Sequence, residues 1–208
     1  MKLTALDLKE FATLVASNSP APGGGSVSAL AAANGAALLC MVANLTIGKK
    51  KYAEHDENMR EILAKASDLK DKLVELIDTD TEAFNEVSAV FSMPKETDEE
   101  KKARQNAMQD ALKRAASVPL EVMENCSLAL KLTFNAVGKS NTNCASDLGV
   151  AALGLAAGVK GAWLNVKINL SGIKDDEFVA KLTEQGENIL EGAENLAEKI
   201  YETILAEL

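Results

Sequence analysis

The chain has 208 residues, a mass of 22.0 kDa and a formal net charge of −9. Its length suits one domain, and the excess of acidic residues excludes a broad nucleic-acid-binding face, because phosphate binding requires clustered positive charge. Cys40, Cys126 and Cys144 lack the spacing of metal ligands, and the single histidine adds no zinc site. We therefore expect a cytoplasmic domain with reduced thiols, no signal sequence and no bound metal.

The amino-terminal segment predicts a short first helix. Thr4 with Asp7 three residues later resembles a capping box. Apolar residues then recur at helical spacing until about Ser17.

A glycine loop, Pro20–Ser26, follows this helix. Its three consecutive glycines let the backbone approach a ligand closely. Ser26 can cap the uncharged, alanine-rich helix that runs to Ile47, and Gly48 is expected to end that helix. The loop and the helix start together suggest a binding element, and a plain tight connection is the competing interpretation.

The uncharged run also has the length of a membrane span. Its apolar content is mostly alanine and glycine, and Ser28, Asn34 and Asn44 interrupt it. This composition favours a helix packed closely on other helices inside a soluble bundle. A membrane-embedded bundle is the alternative, and it would sediment with lipid.

A very long helical pattern extends from about Tyr52 to Met93. Its apolar seam advances by threes and fours through Met59, Ile62, Ala66, Leu69, Leu73, Leu76, Asp80, Phe84, Val87 and Val90. Asp80 is the one carboxylate in this seam, whereas Asp78 falls outside it. A carboxylate in apolar surroundings must be paired, be hydrogen-bonded or have a raised pKa, and a raised pKa suits proton transfer. A structural aspartate is the competing interpretation.

The next helix starts at a capping box formed by Thr97 and Glu100 and is predicted to run to about Ser117. Pro119 then marks either a new helix that starts at Ser117 or a kink. A further amphipathic segment continues to Val137.

A second polar loop, Gly138–Asn143, precedes a second small-residue helix from about Cys144 to Leu170. Asp147 lies in the first turn of this helix, where the helix dipole favours a negative charge, and capping is its simplest role. Because both small-residue helices follow a polar or glycine loop, we expect their first turns to lie close together near the core.

Asp175 or Asp176 can cap a final amphipathic helix that runs to the carboxyl end. No segment alternates as a strand does. The predicted class is all-α, with an elongated antiparallel helical bundle that contains one very long helix and two small-residue central helices.

Four stretches in order resemble the cyclodeaminase/cyclohydrolase family of folate enzymes: Pro20–Ser26, Asn44–Tyr52, Asp78–Phe84 and Gly138–Asp147. The resemblance spans almost the whole chain. It implies an all-helical homodimer with its site near the subunit interface and a tetrahydrofolate substrate, with or without a polyglutamylated tail. It implies no metal or other cofactor, and neither nucleic acid nor membrane as a partner.

The resemblance implies one of two reactions. Cyclodeaminases close 5-formiminotetrahydrofolate to 5,10-methenyltetrahydrofolate with loss of ammonia, and cyclohydrolases add water to the methenyl form to give 10-formyltetrahydrofolate. We place the cyclodeaminase first. The pathway, histidine degradation or one-carbon interconversion, stays open, and a non-catalytic folate-binding or scaffold bundle is the alternative of another class.

The same motifs suggest roles for individual residues. Asp80 is expected to carry the proton between the reacting nitrogens. Asp147 and Asn143 would orient the pterin, while the glycine loop and Lys49 to Lys51 would hold the glutamate tail. The predicted site comprises catalytic Asp80 and Asp147 and the substrate-binding residues Gly23, Gly24, Gly25, Ser26, Lys49, Lys50, Lys139, Ser140, Asn141 and Asn143.

Overall fold

The structure is a computed structural model that describes residues 2–208, and these residues form six α-helices and no β-strand. The helices are α1 (Leu8–Val15), α2 (Gly24–Asn44), α3 (Asp56–Val90), α4 (Asp98–Ala136), α5 (Ala145–Leu170) and α6 (Asp176–Glu207). Short 3₁₀ turns cover Leu3–Ala5, Lys50–His55 and Thr142–Cys144. The predicted all-α class is confirmed.

Helices α2 to α5 form an antiparallel four-helix bundle. Each helix packs on its neighbours in sequence, α5 closes the ring against α2, and α6 lies outside against α4 and α5. The small-residue helices α2 and α5 approach so closely that a β-carbon on Gly161 would collide with Ser28, and one on Gly158 would lie 2.8 Å from Ala32 Cβ. The small residues therefore allow the central helix pair to form.

The first turns of the two small-residue helices lie at opposite ends of the bundle. Gly161 contacts Ser28 whereas Gly35 faces Ala151, so the contacts run in opposite directions along the two helices. Three chain reversals separate α2 from α5 in this up-and-down bundle, so the two helices must be antiparallel. The expectation that their first turns meet is wrong, and they lie about 30 Å apart, the length of α2 at 1.5 Å per residue.

We call the end with the glycine loop Pro20–Ser26 the cleft end. The opposite end, with Lys49–Lys51 and Gly138–Asp147, is the lysine end. Gly48 and Gly138 lie at the lysine end after α2 and α4, and both have positive φ values, 77° and 71°. Only glycine adopts that backbone geometry readily, which explains why the helices end there.

The amino-terminal capping box is formed by Asp7 and Glu10, so the prediction for Thr4 with Asp7 is wrong. The Asp7 carboxylate accepts from the Glu10 amide at 2.8 Å, and the Glu10 carboxylate accepts from the Asp7 amide at 3.0 Å. Thr4 lies in the preceding turn and its hydroxyl donates to Asp78 at 2.6 Å. Asp78, which the helical pattern left outside the seam, thus holds the amino-terminal turn onto α3.

Helix α4 continues through Pro119 without interruption, so no new helix starts at Ser117. Proline has no amide hydrogen, and the Ala115 carbonyl therefore lacks its usual helical partner. The side-chain amide of Asn169 supplies a donor to that carbonyl at 2.9 Å. A side chain from another helix therefore supplies the hydrogen bond that the proline removes from α4.

Two segments, α2 and Thr142–Leu170, have the length and apolar composition of membrane-crossing helices. In this bundle 61% of the most apolar stretch of α2 is buried, against 44% for that of the second segment. A helix at the centre of a bundle has the same apolar composition. A larger fraction of the apolar stretch of α5 is nevertheless left exposed than of the apolar stretch of α2.

Candidate active site

A cleft of about 330 Å³ opens at the cleft end between the glycine loop and helices α3, α4 and α5. Its polar wall consists of the glycine backbone, Asp80, Thr81, Asn165 and Asn169. Its apolar wall includes Phe84, Val87 and Ile168. This volume and this mixture of surfaces are typical of small-molecule sites.

Asp80 lies where the seam of α3 leaves the core. The seam is buried at Leu73 and Leu76, but Phe84 is 38% exposed and lines the cleft. Ala83 occupies the buried position in that part of the helix. The predicted seam therefore holds as far as Leu76, whereas Asp80, Phe84 and Val87 border the cleft, and Val90 is buried again.

Ser26 holds Asp80 from the first turn of α2. Gly23 precedes that helix, so Ser26 is not its cap, and its side chain is fully buried. The Ser26 hydroxyl lies 2.8 Å from the Ile77 carbonyl, 3.1 Å from Asp80 Oδ2 and 3.1 Å from the Thr81 hydroxyl. Because a hydroxyl has one proton, Ser26 donates to either Ile77 or Asp80, and Thr81 is placed to donate to Ser26.

Burial raises the pKa of Asp80 above its ordinary value, and hydrogen bonds from the hydroxyl and amide of Ser26 offset part of that rise. None of the ion pairs within residues 2–208 includes Asp80. A carboxylate without a cationic partner and with a raised pKa can accept and return a proton closer to neutral pH.

The third glycine of the loop is required by the position of Asp80. A β-carbon on Gly25 would overlap the Asp80 carboxylate. One on Gly24 would lie 3.3 Å from Asn165 Nδ2, and one on Gly23 would lie 3.9 Å from the Pro20 carbonyl, which is an ordinary contact. The glycines were predicted to let the backbone approach a ligand closely. In the structure, the backbone at Gly25 closely approaches the Asp80 carboxylate of α3.

Two residues that line the cleft, Asn165 and Asn169, were missed by the sequence analysis. They lie one turn apart near the end of α5, and both are half-buried. Two amides at i, i+4 spacing in a helix made mostly of small and apolar residues were the available signal. It is the same kind of signal that singled out Asp80 in α3.

The remaining predicted site residues lie at the lysine end, about 30 Å from Asp80 along the bundle. There Asn141 joins the loop before α5 to the turn after α2, since its amide donates to Thr46 Oγ1 at 2.9 Å and its side chain donates to the Leu45 carbonyl at 3.1 Å. Lys139 donates to Asn135. One chain therefore does not bring these residues to Asp80: Lys49, Lys50, Lys139, Ser140, Asn141, Asn143 and Asp147.

Tyr52 is a polar centre at the lysine end that the sequence did not indicate. Its hydroxyl accepts from the Thr142 amide at 3.0 Å and lies 3.1 Å from the Thr142 hydroxyl. Hydrogen bonds from Thr142, first from its hydroxyl and then from its amide, lower the pKa of Tyr52 to about 8. Between residues 2 and 208, no group of three or more His, Cys, Asp or Glu side chains is placed to hold a metal ion.

With this geometry established, comparison with known proteins gives a consistent result. Residues 7–188 match the family model described as formiminotransferase-cyclodeaminase. The chain belongs to the formiminotransferase-cyclodeaminase family. The resemblance drawn from four motifs is therefore confirmed.

Three relatives within this family are informative. A methenyltetrahydrofolate cyclohydrolase of Methylorubrum extorquens is 42% identical over 197 residues, which is 95% of both chains. The formimidoyltransferase-cyclodeaminase of Sus scrofa is 36% identical over 96% of this chain, which spans only 37% of the pig protein. The crystal structure of a Thermotoga maritima formiminotetrahydrofolate cyclodeaminase matches with a TM-score of 0.83 and 33% identity, and the match covers 100% of this chain and 98% of that one.

Proposed function

We propose that this chain exchanges carbon–nitrogen bonds at the one-carbon bridge of tetrahydrofolate, as a formiminotetrahydrofolate cyclodeaminase. The observation that carries the proposal is Asp80, a half-buried carboxylate without a cationic partner that faces a ligand-sized cleft beside the glycine loop. The names of the family relatives support the substrate class.

In the proposed reaction N10 of the protonated formimino substrate attacks the formimino carbon. The bond from N10 to carbon forms, and Asp80 takes the proton from N10. Protonated Asp80 then returns that proton to the formimino nitrogen, whose bond to carbon breaks as ammonia leaves. The product is the 5,10-methenyl cation, and Asp80 ends as a carboxylate that stabilises the positive charge.

The second candidate is methenyltetrahydrofolate cyclohydrolase, because the relative of that name is 42% identical across 95% of both chains. Here Asp80 would take a proton from water as the oxygen attacks the methenyl carbon. The same proton would then go to N5 as the bond from N5 to that carbon breaks, and the remaining hydroxyl proton would leave to solvent as the formyl group forms on N10. Both reactions require one proton carrier at one place and no further cofactor.

The test offers each substrate to the purified chain. With 5-formiminotetrahydrofolate, a cyclodeaminase gives methenyl absorbance and equimolar ammonia. With 5,10-methenyltetrahydrofolate, a cyclohydrolase gives loss of that absorbance faster than the uncatalysed reaction. Turnover of neither substrate, with a folded protein, would overturn the proposal in favour of a binding or scaffold role.

We also propose that the chain is a homodimer joined through the outer face of α2 and α5. Leu164 and Ile168 on α5 are 70% and 71% exposed, and Val27 on α2 is also exposed. Large apolar side chains uncovered along two neighbouring helices mark an interaction surface. Ile168 also lines the cleft, so a second copy on this face would border the site.

A two-fold axis through this face and perpendicular to the helices would place the cleft end of one protomer beside the lysine end of the other. In an isologous contact between antiparallel copies, the lysine end of one protomer lies beside the cleft end of its partner. The partner subunit's Asp147 and its lysine cluster would then complete the site around Asp80, with the lysines near the anionic glutamate or polyglutamate tail. This arrangement would bring together the two halves of the predicted site that one chain separates.

Mixing two variants tests the shared site. Asp80→Asn and Asp147→Asn should each be inactive alone, whereas their mixture after subunit exchange should regain about a quarter of the activity, because half of the dimers contain one intact site. A fully active Asp147→Asn chain, or a mixture that stays inactive although sedimentation shows heterodimers, would refute it. We place this activity in the cytoplasm, away from membranes and nucleic acid, and expect lipid co-sedimentation to be negative.

A further inference from the structure

Helix α5 fixes the orientation of the two amides in the cleft. Asn165 Nδ2 donates to the Gly161 carbonyl at 2.8 Å, and Asn169 Nδ2 donates to the Asn165 carbonyl at 2.9 Å and to the Ala115 carbonyl at 2.9 Å. Backbone carbonyls accept hydrogen bonds and cannot donate, so the nitrogen of each amide must be the atom that faces them. The oxygens are thereby directed away from these backbone contacts.

These two oxygens are acceptors without a donor. Between residues 2 and 208, each amide makes hydrogen bonds only through its nitrogen. Neither oxygen is among the fully enclosed polar atoms that lack a partner, so both are accessible from outside, and both residues line the cleft. A half-buried acceptor of this kind favours a ligand that supplies an N–H group, because filling the cleft with an apolar group would remove its water without replacement.

Pro119 contributes to this orientation from another helix. In a regular helix the Ala115 carbonyl would accept from the amide of residue 119, but the proline ring has no amide hydrogen. The carbonyl is consequently available to Asn169 at 2.9 Å. Pro119 is buried, and Ala115 lies in the wall of the cleft. The proline therefore leaves an acceptor that holds Asn169 Nδ2 away from the ligand space.

We propose that Asn165 and Asn169 are specificity-determining residues whose side-chain oxygens accept hydrogen bonds from the N–H edge of the reduced pterin ring. This inference rests on the proposed function, which supplies tetrahydrofolate as the ligand. The pterin carries an amino group and ring N–H groups, and two fixed acceptors one helical turn apart suit such an edge. Neutral amides also provide acceptors without placing another negative charge in the cleft of Asp80.

The experiment measures dissociation constants for 5-formyltetrahydrofolate and for its analogue without the 2-amino group. The wild-type chain should bind the analogue about 10- to 100-fold more weakly, the effect of leaving a desolvated acceptor unpaired. In Asn165→Ala/Asn169→Ala the parent compound should bind more weakly and the ratio between the two ligands should fall close to one. Circular dichroism establishes that the double variant is folded.

Two further variants keep the test decisive. Asn125→Ala is the matched control, because Asn125 Nδ2 makes the same kind of bond to the Glu121 carbonyl at 2.7 Å on α4, outside the cleft. Its ligand ratio should equal that of the wild type. Pro119→Ala returns an amide hydrogen to the Ala115 carbonyl and should reduce the ratio with both asparagines still present.

The outcomes separate this inference from the proposed function. If the wild-type chain binds no 5-formyltetrahydrofolate and turns over no folate, the proposed function fails and the inference fails with it. If the wild type is active and the double variant keeps the wild-type ligand ratio, the inference alone is overturned. A ratio near one in the double variant, with the control unchanged, supports both.

Discussion

At the cleft end, Asp80 forms no ion pair within residues 2–208, and burial raises its pKa. At the lysine end, Tyr52 receives hydrogen bonds from Thr142 that lower its pKa to about 8. Both are acids next to helix ends, and they respond in opposite directions because one is desolvated and the other is surrounded by donors. The cleft end is thereby suited to moving a proton, and the lysine end to holding negative charge.

The largest effect should come from Asp80→Asn, which removes the proton carrier and keeps the side-chain volume. We expect turnover to fall by about 10² to 10⁴-fold, the usual contribution of a general acid–base group. The control is Asp78→Asn, two residues away, where the carboxylate accepts from the Leu3 amide at 2.5 Å and from Thr4. That change should lower the free energy of unfolding by about 1 kcal/mol and leave turnover near wild type. The reverse pattern in steady-state assays would assign the chemistry to Asp78.

The difference in stability between the wild type and Asp80→Asn should depend on pH in a defined direction. Because the pKa of Asp80 is raised from 3.8 in the folded state, the folded chain binds more protons than the unfolded chain between these two pKa values. Wild-type stability therefore decreases across that window as pH rises, and Asp80→Asn lacks this loss. In denaturant unfolding, the free energy of unfolding of Asp80→Asn should increase relative to that of the wild type as pH rises through this window. Above the window the difference between the two should stay constant. A difference independent of pH would mean that Asp80 is not desolvated.

A smaller but still large effect is expected from Gly25→Ala. The new β-carbon would overlap the Asp80 carboxylate, so the side chain or the first turn of α2 must shift. A displacement of about one ångström at a reacting group reduces turnover by about 10²-fold, and the crowding should cost about 1 to 3 kcal/mol of stability. Gly23→Ala is the matched control, since its β-carbon would meet only the Pro20 carbonyl at 3.9 Å. Equal activity of the two variants would show that the contact with Asp80 does not restrict the site.

The smallest effect concerns the lysine end. Thr142→Val removes the side-chain hydrogen bond to Tyr52 and leaves the backbone one, so the pKa of Tyr52 should rise from about 8 toward 10.0. Ultraviolet titration of tyrosinate, with Tyr201→Phe as the background, measures it. Methenyl formation should change less than in Asp80→Asn, because Thr142 is remote from Asp80 of its own chain and, in the proposed dimer, only borders the cleft of the partner subunit. A pKa that does not move would show that the Thr142 hydroxyl does not stabilise the phenolate.

Much of the local structure followed from residues whose effects are short-range. The capping box of Thr97 and Glu100 starts α4 as predicted, since the two side chains satisfy amides within one turn. Gly48 follows α2, the helix it was expected to end. Asp80 was found because a carboxylate in an apolar seam is unusual in any helical packing.

The errors have tertiary causes. A new helix at Ser117 was one alternative for the proline in α4, yet the helix continues and Asn169 from α5 occupies the carbonyl that the proline leaves free. Ser26 was expected to cap α2, yet its hydroxyl is used by α3. In both cases the partner is distant in sequence, so a local pattern carried no information about it.

The sequence by itself determined the all-α class, the capping box of α4, the end of α2, the apolar seam as far as Leu76 and the family, because periodicity, capping and motif order are properties of neighbouring residues. Only the tertiary structure decided that α2 and α5 run antiparallel, that the two polar loops lie at opposite ends, and that Asn165 and Asn169 join Asp80 around one cleft. The direction of helix packing depends on how many times the chain reverses and on which faces become buried. Those quantities belong to the whole bundle, and no single stretch of the chain specifies them.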